Sequence, residues 1–112
     1  MTLRGRHGLF LAYLALALIG AILPLSAFLP WFAEHGLDIP AFLGELFSTR
    51  IGAFFGWDVI VSAIVLFLFI AVEGSRTGVR HRWLPVTATL IVGVSCGLPL
   101  FLALRERAIL RS

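Results

Sequence analysis

The sequence contains no lysine, a single cysteine and few charges of either sign. Charged residues make up 13% of the 112 residues, whereas a water-soluble domain averages about 25%. Cys96 has no second cysteine to pair with, which excludes a small secreted fold built on internal disulfides. Its apolar neighbours are typical of an inert packing residue.

Apolar residues are correspondingly abundant. They make up 60% of the chain, and the mean hydropathy is +1.02. A short chain buries a smaller fraction of its surface than a large domain does, so a chain of this length cannot hide this much apolar surface from water by folding alone. The composition therefore predicts a membrane protein whose main partner is the lipid bilayer.

The basic residues do not indicate nucleic-acid binding. All nine are arginines, and the formal net charge is +3. They lie in short clusters between long uncharged runs, a pattern that is typical of anchors at the edge of a membrane. We expect no nucleic-acid partner.

Three segments are long enough to cross the apolar core of a bilayer, which needs about 20 residues. They cover approximately residues 9–31, 52–73 and 84–104. A backbone in lipid must satisfy its own hydrogen bonds, so each segment is expected to be helical. The sequence predicts an all-α integral membrane protein, with residues 1–112 forming a single membrane domain.

The first segment has a rival interpretation as a cleavable signal peptide. Arg4, Arg6 and His7 would form the basic start of such a peptide. The apolar run that follows is longer than a usual signal core, so a retained span is favoured. Pro24 and Pro30 are expected to kink or end this helix, because proline removes a backbone donor.

The arginine count predicts the orientation of the chain, because short cytoplasmic loops are enriched in arginine and lysine. With three spans across the inner membrane and a cytoplasmic N-terminus, five arginines lie on the cytoplasmic side and four on the outer side. The inner five are Arg4, Arg6, Arg76, Arg80 and Arg82, and the outer four are Arg50, Arg105, Arg107 and Arg111. The majority favours a cytoplasmic N-terminus and an external C-terminus.

Each predicted span ends near a tryptophan. Trp31, Trp57 and Trp83 stand at these positions. Indole prefers the headgroup level, where its ring is buried and its N–H remains hydrated. The three residues are therefore predicted to be interface anchors.

A short amphipathic helix is predicted over approximately residues 39–49, between the first two spans. Its apolar residues share one helical face: Ile39, Phe42, Leu43, Leu46 and Phe47. Asp38 precedes it as a candidate N-cap. This helix could lie in the membrane surface, pack on the spans or cover a bound substrate.

The second span carries the most unusual charges. Asp58 and Glu73 are fifteen residues apart, which is about 22 Å along a helix. Glu73 is expected to pair with Arg76 or Arg80.

Asp58 has no such partner nearby in sequence. It could accept a hydrogen bond from Ser62, or pair with Arg50 or Arg105 on the same side of the membrane. A role in handling protons or a substrate is the alternative, because acids inside membranes recur in relays and transport sites.

Glycines recur four residues apart in two of the spans. Gly93 and Gly97 lie in the third span, and Gly52 and Gly56 lie at the start of the second. This spacing lets helix backbones approach closely. The expected contact is within one chain, with dimerisation through the third span as the alternative. Pro99 is expected to bend the end of that span.

Motifs of soluble enzymes are absent from the sequence. It has no glycine-rich phosphate loop, no Ser–His–Asp arrangement within one membrane layer and no Cys/His metal spacing. Glu34, His35 and Asp38 form only a loose polar group. We expect no metal and no cofactor.

Several of these motifs resemble a known family. In the second span they are residues 53–58, Ser62, Glu73, Gly74 and Arg76. Before the amphipathic segment they are residues 36–38. In the last segment they are Trp83, Ala88, Thr89, residues 92–95, residues 98–102, Arg105 and Glu106. Over nearly the whole chain, the sequence resembles small bacterial integral membrane proteins of the domain of unknown function numbered 2834.

The resemblance implies a membrane location but no activity. The positions that recur in the family are Asp38, Asp58, Glu73, Arg76, Trp83, Pro99, Arg105 and Glu106. No catalytic role transfers with them.

The leading functional hypothesis is a non-enzymatic structural or accessory membrane component, with a homo-oligomer or a larger membrane complex as its context. The second is an oligomeric transporter or proton-linked protein that uses Asp58. The third is a membrane enzyme that acts on a lipid or isoprenoid substrate.

Overall fold

The computed structural model describes the backbone of residues 3–111 and the side chains of residues 7–110. Within these residues the chain forms helices and no strands, which confirms the predicted all-α class. The helices are α1 (Leu3–His35), α2 (Ile39–Leu46), α3 (Arg50–Thr77), α4 (Trp83–Ile91) and α5 (Val94–Arg111).

The helices α1 and α3 are long and apolar enough to cross a membrane. They contain 33 and 28 residues, and at about 1.5 Å per residue both exceed a hydrocarbon core of about 30 Å. Only 6% of the most apolar window of α1 and 17% of that of α3 are buried within the chain. Buried core helices of a soluble protein would be covered far more completely. The two helices correspond to the first two predicted spans.

The third predicted span, residues 84–104, is wrong as a continuous helix. The chain leaves the helical conformation after Ile91, and Gly93 has a φ of 132°. Glycine adopts this conformation readily because it has no Cβ. The nine residues of α4 extend only about 13 Å, less than half of the hydrocarbon core. The described residues therefore contain two helices of spanning length, and not three.

The helices α4 and α5 fold back on each other as a hairpin. A Cβ built on Gly97 would lie 1.8 Å from Thr89 Oγ1 and 3.0 Å from the carbonyl oxygen of Pro85. In a continuous helix, residues 85 and 97 would be about 18 Å apart. We call this unit, residues 83–111, the hairpin.

The hairpin returns to the end of the molecule from which it starts. It begins just after α3 ends, and further along the chain Arg105 of α5 pairs with Glu73, near the end of α3, at 2.8 Å. Ser95, near the start of α5, contacts Gly20 of α1. Leu102, further along α5, lines a groove with Tyr13, which comes before Gly20 in α1. The helices α1 and α5 are thus antiparallel, and the tip of the hairpin lies between the two ends of α1.

Helix α1 does not end at its prolines, contrary to one of the predicted outcomes. It continues through Pro24 and Pro30 to His35. Pro24 has no N–H, so the Gly20 carbonyl loses the donor that a helix would normally supply. The Ser95 hydroxyl of α5 donates to this carbonyl at 2.8 Å. Hydroxyl groups on neighbouring helices are one way in which membrane helices tolerate proline.

The two backbones are in direct contact at this crossing. A Cβ built on Gly20 would lie 1.9 Å from the Ser95 carbonyl oxygen. Pro99, four residues after Ser95, removes the helical donor to that oxygen in the same way, and α5 continues through it. Glycine at position 20 is what allows α1 and α5 to approach so closely.

The predicted amphipathic helix is present but shorter than expected, ending at Leu46. Asp38 caps it by accepting a hydrogen bond from the Ala41 N–H at 3.1 Å. The chain then turns, and Thr49 Oγ1 accepts from the Gly52 N–H at 2.9 Å to begin α3. The buried core lies at the opposite end of α3, where its residues meet the following loop and α5: Leu66, Ile70, Val79, Phe101 and Ala108.

Candidate functional site

A cluster of ion pairs joins the end of α3 to α5. The Glu73 carboxylate accepts hydrogen bonds from Arg76 Nε at 2.9 Å and from Arg105 Nε at 2.8 Å. Arg105 Nη1 also lies 3.5 Å from Glu106 Oε1. The predicted pair of Glu73 with Arg76 is formed, whereas Arg80 is exposed and makes no described ion pair. We call Glu73, Arg76, Arg105 and Glu106 the junction.

The junction is arranged to hold helices together. The Glu106 residue is only 2% exposed, and the Glu73 side chain 13%. Next to them, Arg82 packs its side chain over Gly74 and donates from Nη1 to the Ala71 carbonyl at 3.4 Å. Both acids are held by arginines in the folded chain, so this site supports a structural role better than proton transfer.

Asp58 lies far from the junction. The predicted partner Arg105 is bonded to Glu73 instead, which is about 22 Å from Asp58 along the axis of α3. In the part of the chain that the structure describes, Asp58 makes no hydrogen bond or ion pair with Arg50 or Ser62 either. None of the predicted partners therefore bonds to Asp58 within the described residues, although Ser62 is its neighbour one turn along α3.

Asp58 belongs to the outer, apolar face of α3. It is exposed, and so are Trp57, Val59 and Val61, which are 61%, 52% and 56% exposed. On one side Phe47, which follows α2, packs edge to face on Trp57 with the ring centroids 5.6 Å apart, and the rest of this stretch is open. A carboxylate thus projects from a surface that is otherwise suited to lipid or to another helix.

Most of the glycines singled out in the sequence pack within the chain. Gly97 lies against Thr89, and Gly56 lies against Phe47 and Leu46. Gly52 contacts the Leu46 carbonyl at the start of α3, and Gly93 forms the turn of the hairpin. Gly56 and Gly97 are buried and are not available to a second copy.

The tryptophans have different surroundings. Trp57 and Trp83 are each 61% exposed, as a lipid-interface anchor would be. Trp31 is partly buried, and its Nε1 donates to the Glu45 carboxylate of α2. The sequence suggested no link between Trp31 and Glu45, because they lie on different helices.

A large apolar cavity lies between α1, α2 and the tip of the hairpin. Its volume is about 870 Å³. Pro24, Phe28 and Trp31 of α1 form one wall, Phe42 and Glu45 belong to α2, and Ile91 is at the tip of the hairpin. We call this space the tip cavity. It exists because the hairpin stops short of the end of α1 and leaves the space beneath α2 unfilled.

Aromatic packing holds α2 beside this cavity. Phe42 meets Phe28 and Trp31 edge to face, with ring centroids 5.8 and 5.7 Å apart. Together with the hydrogen bond from Trp31 to Glu45, these contacts attach α2 to the end of α1.

The loose polar group near α2 has no metal-site geometry. Among the described residues, no three His, Cys, Asp or Glu side chains are close enough to hold an ion. Asp38 serves as the α2 cap, and His35 stacks on Trp31 with the ring centroids 4.5 Å apart.

Comparisons with known proteins identify the family of this chain. Neither the curated proteins nor the solved structures provide a match. A family model does match, over residues 12–107, and its description is "Protein of unknown function DUF2834". Because this match covers most of the sequence, including α2, α3, α4 and most of α1 and α5, the chain belongs to the DUF2834 family.

Proposed function

We propose that the chain is a multi-pass protein of the cell membrane, in which α1 and α3 cross the bilayer and the hairpin enters and leaves from the cytoplasmic side. The proposal is supported by the two long, exposed apolar helices and by the ion pair between Arg105 and Glu73, which joins the returning hairpin to the end of α3. Irregular backbone inside a membrane must be covered by protein. At the tip of the hairpin the chain itself satisfies part of the irregular backbone, because the Gly93 carbonyl accepts hydrogen bonds from the Cys96 and Gly97 N–H groups.

The arginines support a cytoplasmic location for both ends of the chain. With a returning hairpin, eight arginines belong to the side where α1 begins: Arg4, Arg6, Arg76, Arg80, Arg82, Arg105, Arg107 and Arg111. Arg50 alone belongs to the other side. The near balance obtained with three spans becomes a strong cytoplasmic excess, which is the pattern typical of membrane proteins.

The function that the geometry supports best is that of an accessory membrane subunit, which binds a helix of another membrane protein through the outer face of α3. The observation behind this proposal is Asp58, a carboxylate without a described partner on an exposed apolar face. Ionisable residues inside a membrane usually pair with another group, because an unpaired charge is costly in lipid.

The depth of Asp58 favours a partner. If the cytoplasmic edge of a hydrocarbon core of about 30 Å lies at Glu73, then Asp58, about 22 Å along α3, is about 8 Å inside the opposite edge. An isolated acid at the centre of a bilayer costs about 2.5–3.5 kcal/mol by insertion measurements. A smaller part of that cost applies at the depth of Asp58, and a donor on a neighbouring helix would offset it.

A partner helix carrying an arginine or lysine fits this face better than a second copy of the chain does. Two parallel copies related by a two-fold axis along the membrane normal would bring their Asp58 side chains together at equal depth, where like charges repel. The arginine nearest in sequence, Arg50, lies about 12 Å further along the helix axis.

A model peptide tests the proposal directly. The protein, carrying a donor dye, is reconstituted in phosphatidylcholine vesicles with an acceptor-labelled Leu/Ala helix that has one arginine at the depth of Asp58. We expect energy transfer to this peptide to exceed transfer to an all-Leu/Ala version. Asp58→Leu should weaken the association by at least about tenfold, because losing one member of a buried charge pair costs about 2–5 kcal/mol.

Two controls make the result specific. Glu34→Leu removes an equal charge from an exposed position outside α3 and should leave binding unchanged. Asp58→Glu should retain it. Equal binding by the wild type and Asp58→Leu would overturn the proposal. Asp58 is exposed and makes no described hydrogen bond or ion pair within the chain, so its replacement should not unfold the protein.

Transport is the alternative use of the same residue. It would be favoured if the purified protein in liposomes carried a proton-dependent flux that Asp58→Asn abolishes without loss of stability. The enzyme hypothesis has less support, because Asp58 and Glu73, the two acids of α3, do not converge on one site. Glu73 is held by arginines, and Asp58 lies about 22 Å away along α3.

A further inference from the structure

The tip cavity has the size and lining of a ligand site. Its volume of about 870 Å³ lies within the range of about 300–1,000 Å³ that is usual for small-molecule pockets. The interior is lined mainly by aliphatic and aromatic side chains from α1 and from the tip of the hairpin, including Leu25, Phe28, Leu90 and Ile91. An apolar chain would be buried well there.

The charged groups of the cavity are all acidic. Asp38 and Glu45 are the two ionisable residues that line it. Both are exposed at the α2 side, so they mark the opening towards the membrane surface. Arg50 is the nearest arginine along the chain.

Aromatic rings stand beside these acids. Trp31 and Phe42 line the cavity and pack edge to face, and the Trp31 N–H donates to Glu45. The faces of aromatic rings attract cations, with tryptophan the most effective, and quaternary ammonium groups are recognised in this way. His35 already stacks on Trp31, so Phe42, which is 40% exposed, provides most of the open aromatic surface. The opening therefore combines negative charge with this aromatic surface above an apolar interior.

We propose that the tip cavity binds an amphiphile with a protonated or quaternary amine head group and an alkyl or isoprenoid tail. The tail lies between α1 and the tip of the hairpin, and the amine lies at the α2 side near Glu45 and Asp38. The charge pattern selects the sign of the head group, because a phosphate or sulfate at the same position would face carboxylates. This inference goes beyond the proposed binding through α3 and uses a different surface.

Fluorescence of Trp31 can test the site in the intact protein. Replacing Trp57 and Trp83 by phenylalanine leaves Trp31 as the sole tryptophan. The protein is placed in nanodiscs of an uncharged glycolipid, which carries no amine, and titrated with a brominated dodecyltrimethylammonium, whose bromine quenches tryptophan. The same brominated chain with a sulfate head group is titrated in parallel. We expect saturable quenching by the ammonium probe and weaker, non-saturating quenching by the sulfate probe.

Two pairs of variants separate a built site from general partitioning into lipid. Glu45→Gln should weaken ammonium binding by about twofold to fivefold, as is typical of a partly exposed charge pair, while Glu34→Gln, which does not line the cavity, should not. Ala27→Phe fills the cavity and should abolish saturable quenching. Ala33→Phe, an exposed α1 position outside the lining, should leave it intact.

This inference can be overturned without overturning the function proposed for α3. Equal quenching by the ammonium and sulfate probes, or saturable quenching that persists in Ala27→Phe, would overturn the inference. Neither result depends on Asp58 or on a partner helix. Unchanged circular dichroism of Ala27→Phe would show that the loss of binding is not a loss of fold.

Discussion

At the scale of single residues, the crossing of α1 and α5 shows how a local defect becomes a tertiary contact. Pro24 leaves the Gly20 carbonyl without its helical donor, and the Ser95 hydroxyl supplies one at 2.8 Å. Gly20 has no side chain to keep the helices apart. The proline is therefore tolerated because α5 is present, and α5 is held in register partly because the proline exposes an acceptor.

This relation predicts coupling between positions 24 and 95. Ser95→Ala should destabilise the protein by about 1 kcal/mol, within the range for hydrogen bonds between membrane helices. In a Pro24→Ala background, the restored N–H can bond the Gly20 carbonyl, so the same Ser95→Ala change should cost less. Denaturant unfolding in mixed micelles measures the four free energies of the double-mutant cycle.

Ser75→Ala is the matched control, because Ser75 is exposed and makes no described hydrogen bond. Its effect should be close to zero in both backgrounds. Additive effects of the changes at positions 24 and 95 would contradict the proposed compensation.

At the scale of elements, the hairpin depends on one backbone turn and one ion-paired junction. The turn needs Gly93 at a φ of 132°. The junction needs the arginine of α5 to reach Glu73 of α3 at 2.8 Å. Each can be disturbed separately, because they lie at opposite ends of the hairpin.

Replacing Gly93 by alanine should strain the turn. A side chain at this φ costs about 1–3 kcal/mol even where there is room for it. Gly8→Ala is the contrasting change, since Gly8 is exposed within α1 and a Cβ there meets nothing. It should stabilise the protein by about 0.5–1 kcal/mol, as expected for glycine to alanine within a helix. Equal unfolding free energies of the two variants would argue against the strained turn.

Replacing Arg105 by alanine should loosen α5 from α3. The change removes a hydrogen bond to a charged group, typically worth about 1.5–3 kcal/mol, and leaves Glu73 with Arg76 alone. Arg107→Ala, at an exposed neighbouring position, should change stability by less than about 0.5 kcal/mol. Thermal unfolding in detergent compares the two, and similar melting temperatures would show that the junction contributes little.

At the scale of the whole molecule, the hairpin determines which end of α3 the C-terminal part reaches and, in the arrangement that we propose, which side of the membrane. A third span would bring it to the side of α2, whereas the hairpin returns it to the side of Glu73. The difference moves Arg105, Arg107 and Arg111 from one side to the other and so changes the balance of charge across the membrane.

Cysteine labelling distinguishes the two arrangements. On a Cys96→Ser background, Ser48→Cys, Ser75→Cys and Arg107→Cys each introduce one exposed thiol. We expect a membrane-impermeant maleimide to label only Ser48→Cys in intact cells, and to label the other two after permeabilisation. Labelling of Arg107→Cys together with Ser48→Cys in intact cells would instead support three spans.

Much of the fold could be predicted from local pattern. The apolar runs of α1 and α3, the Asp38 cap of α2 and the pairing of Glu73 with Arg76 all depend on residues close together in sequence. The prediction of a third span was wrong because the third segment is as apolar in composition as a true span. A single glycine at position 93, which sequence spacing favoured as a helix-packing residue, instead reverses the chain.

The candidate sites divide in the same way. Asp58 stood out from the sequence because a charge within an apolar run is visible without a structure. Its lack of a described partner could be seen only in the structure. The tip cavity could not be predicted, since its walls come from three segments that are far apart along the chain.

The sequence by itself determined that this protein is helical and apolar, with arginines at the ends of its apolar segments, because hydropathy and charge are summed over neighbouring residues. Tertiary structure alone decided that the last segment turns back, that Arg105 reaches Glu73 and that a cavity opens beneath α2. These features arise where distant backbones touch, as at Gly20 and Gly97, and the contact depends on the shapes of both partners. A local sequence pattern describes only one of the two contacting segments, so it cannot predict the contact between them.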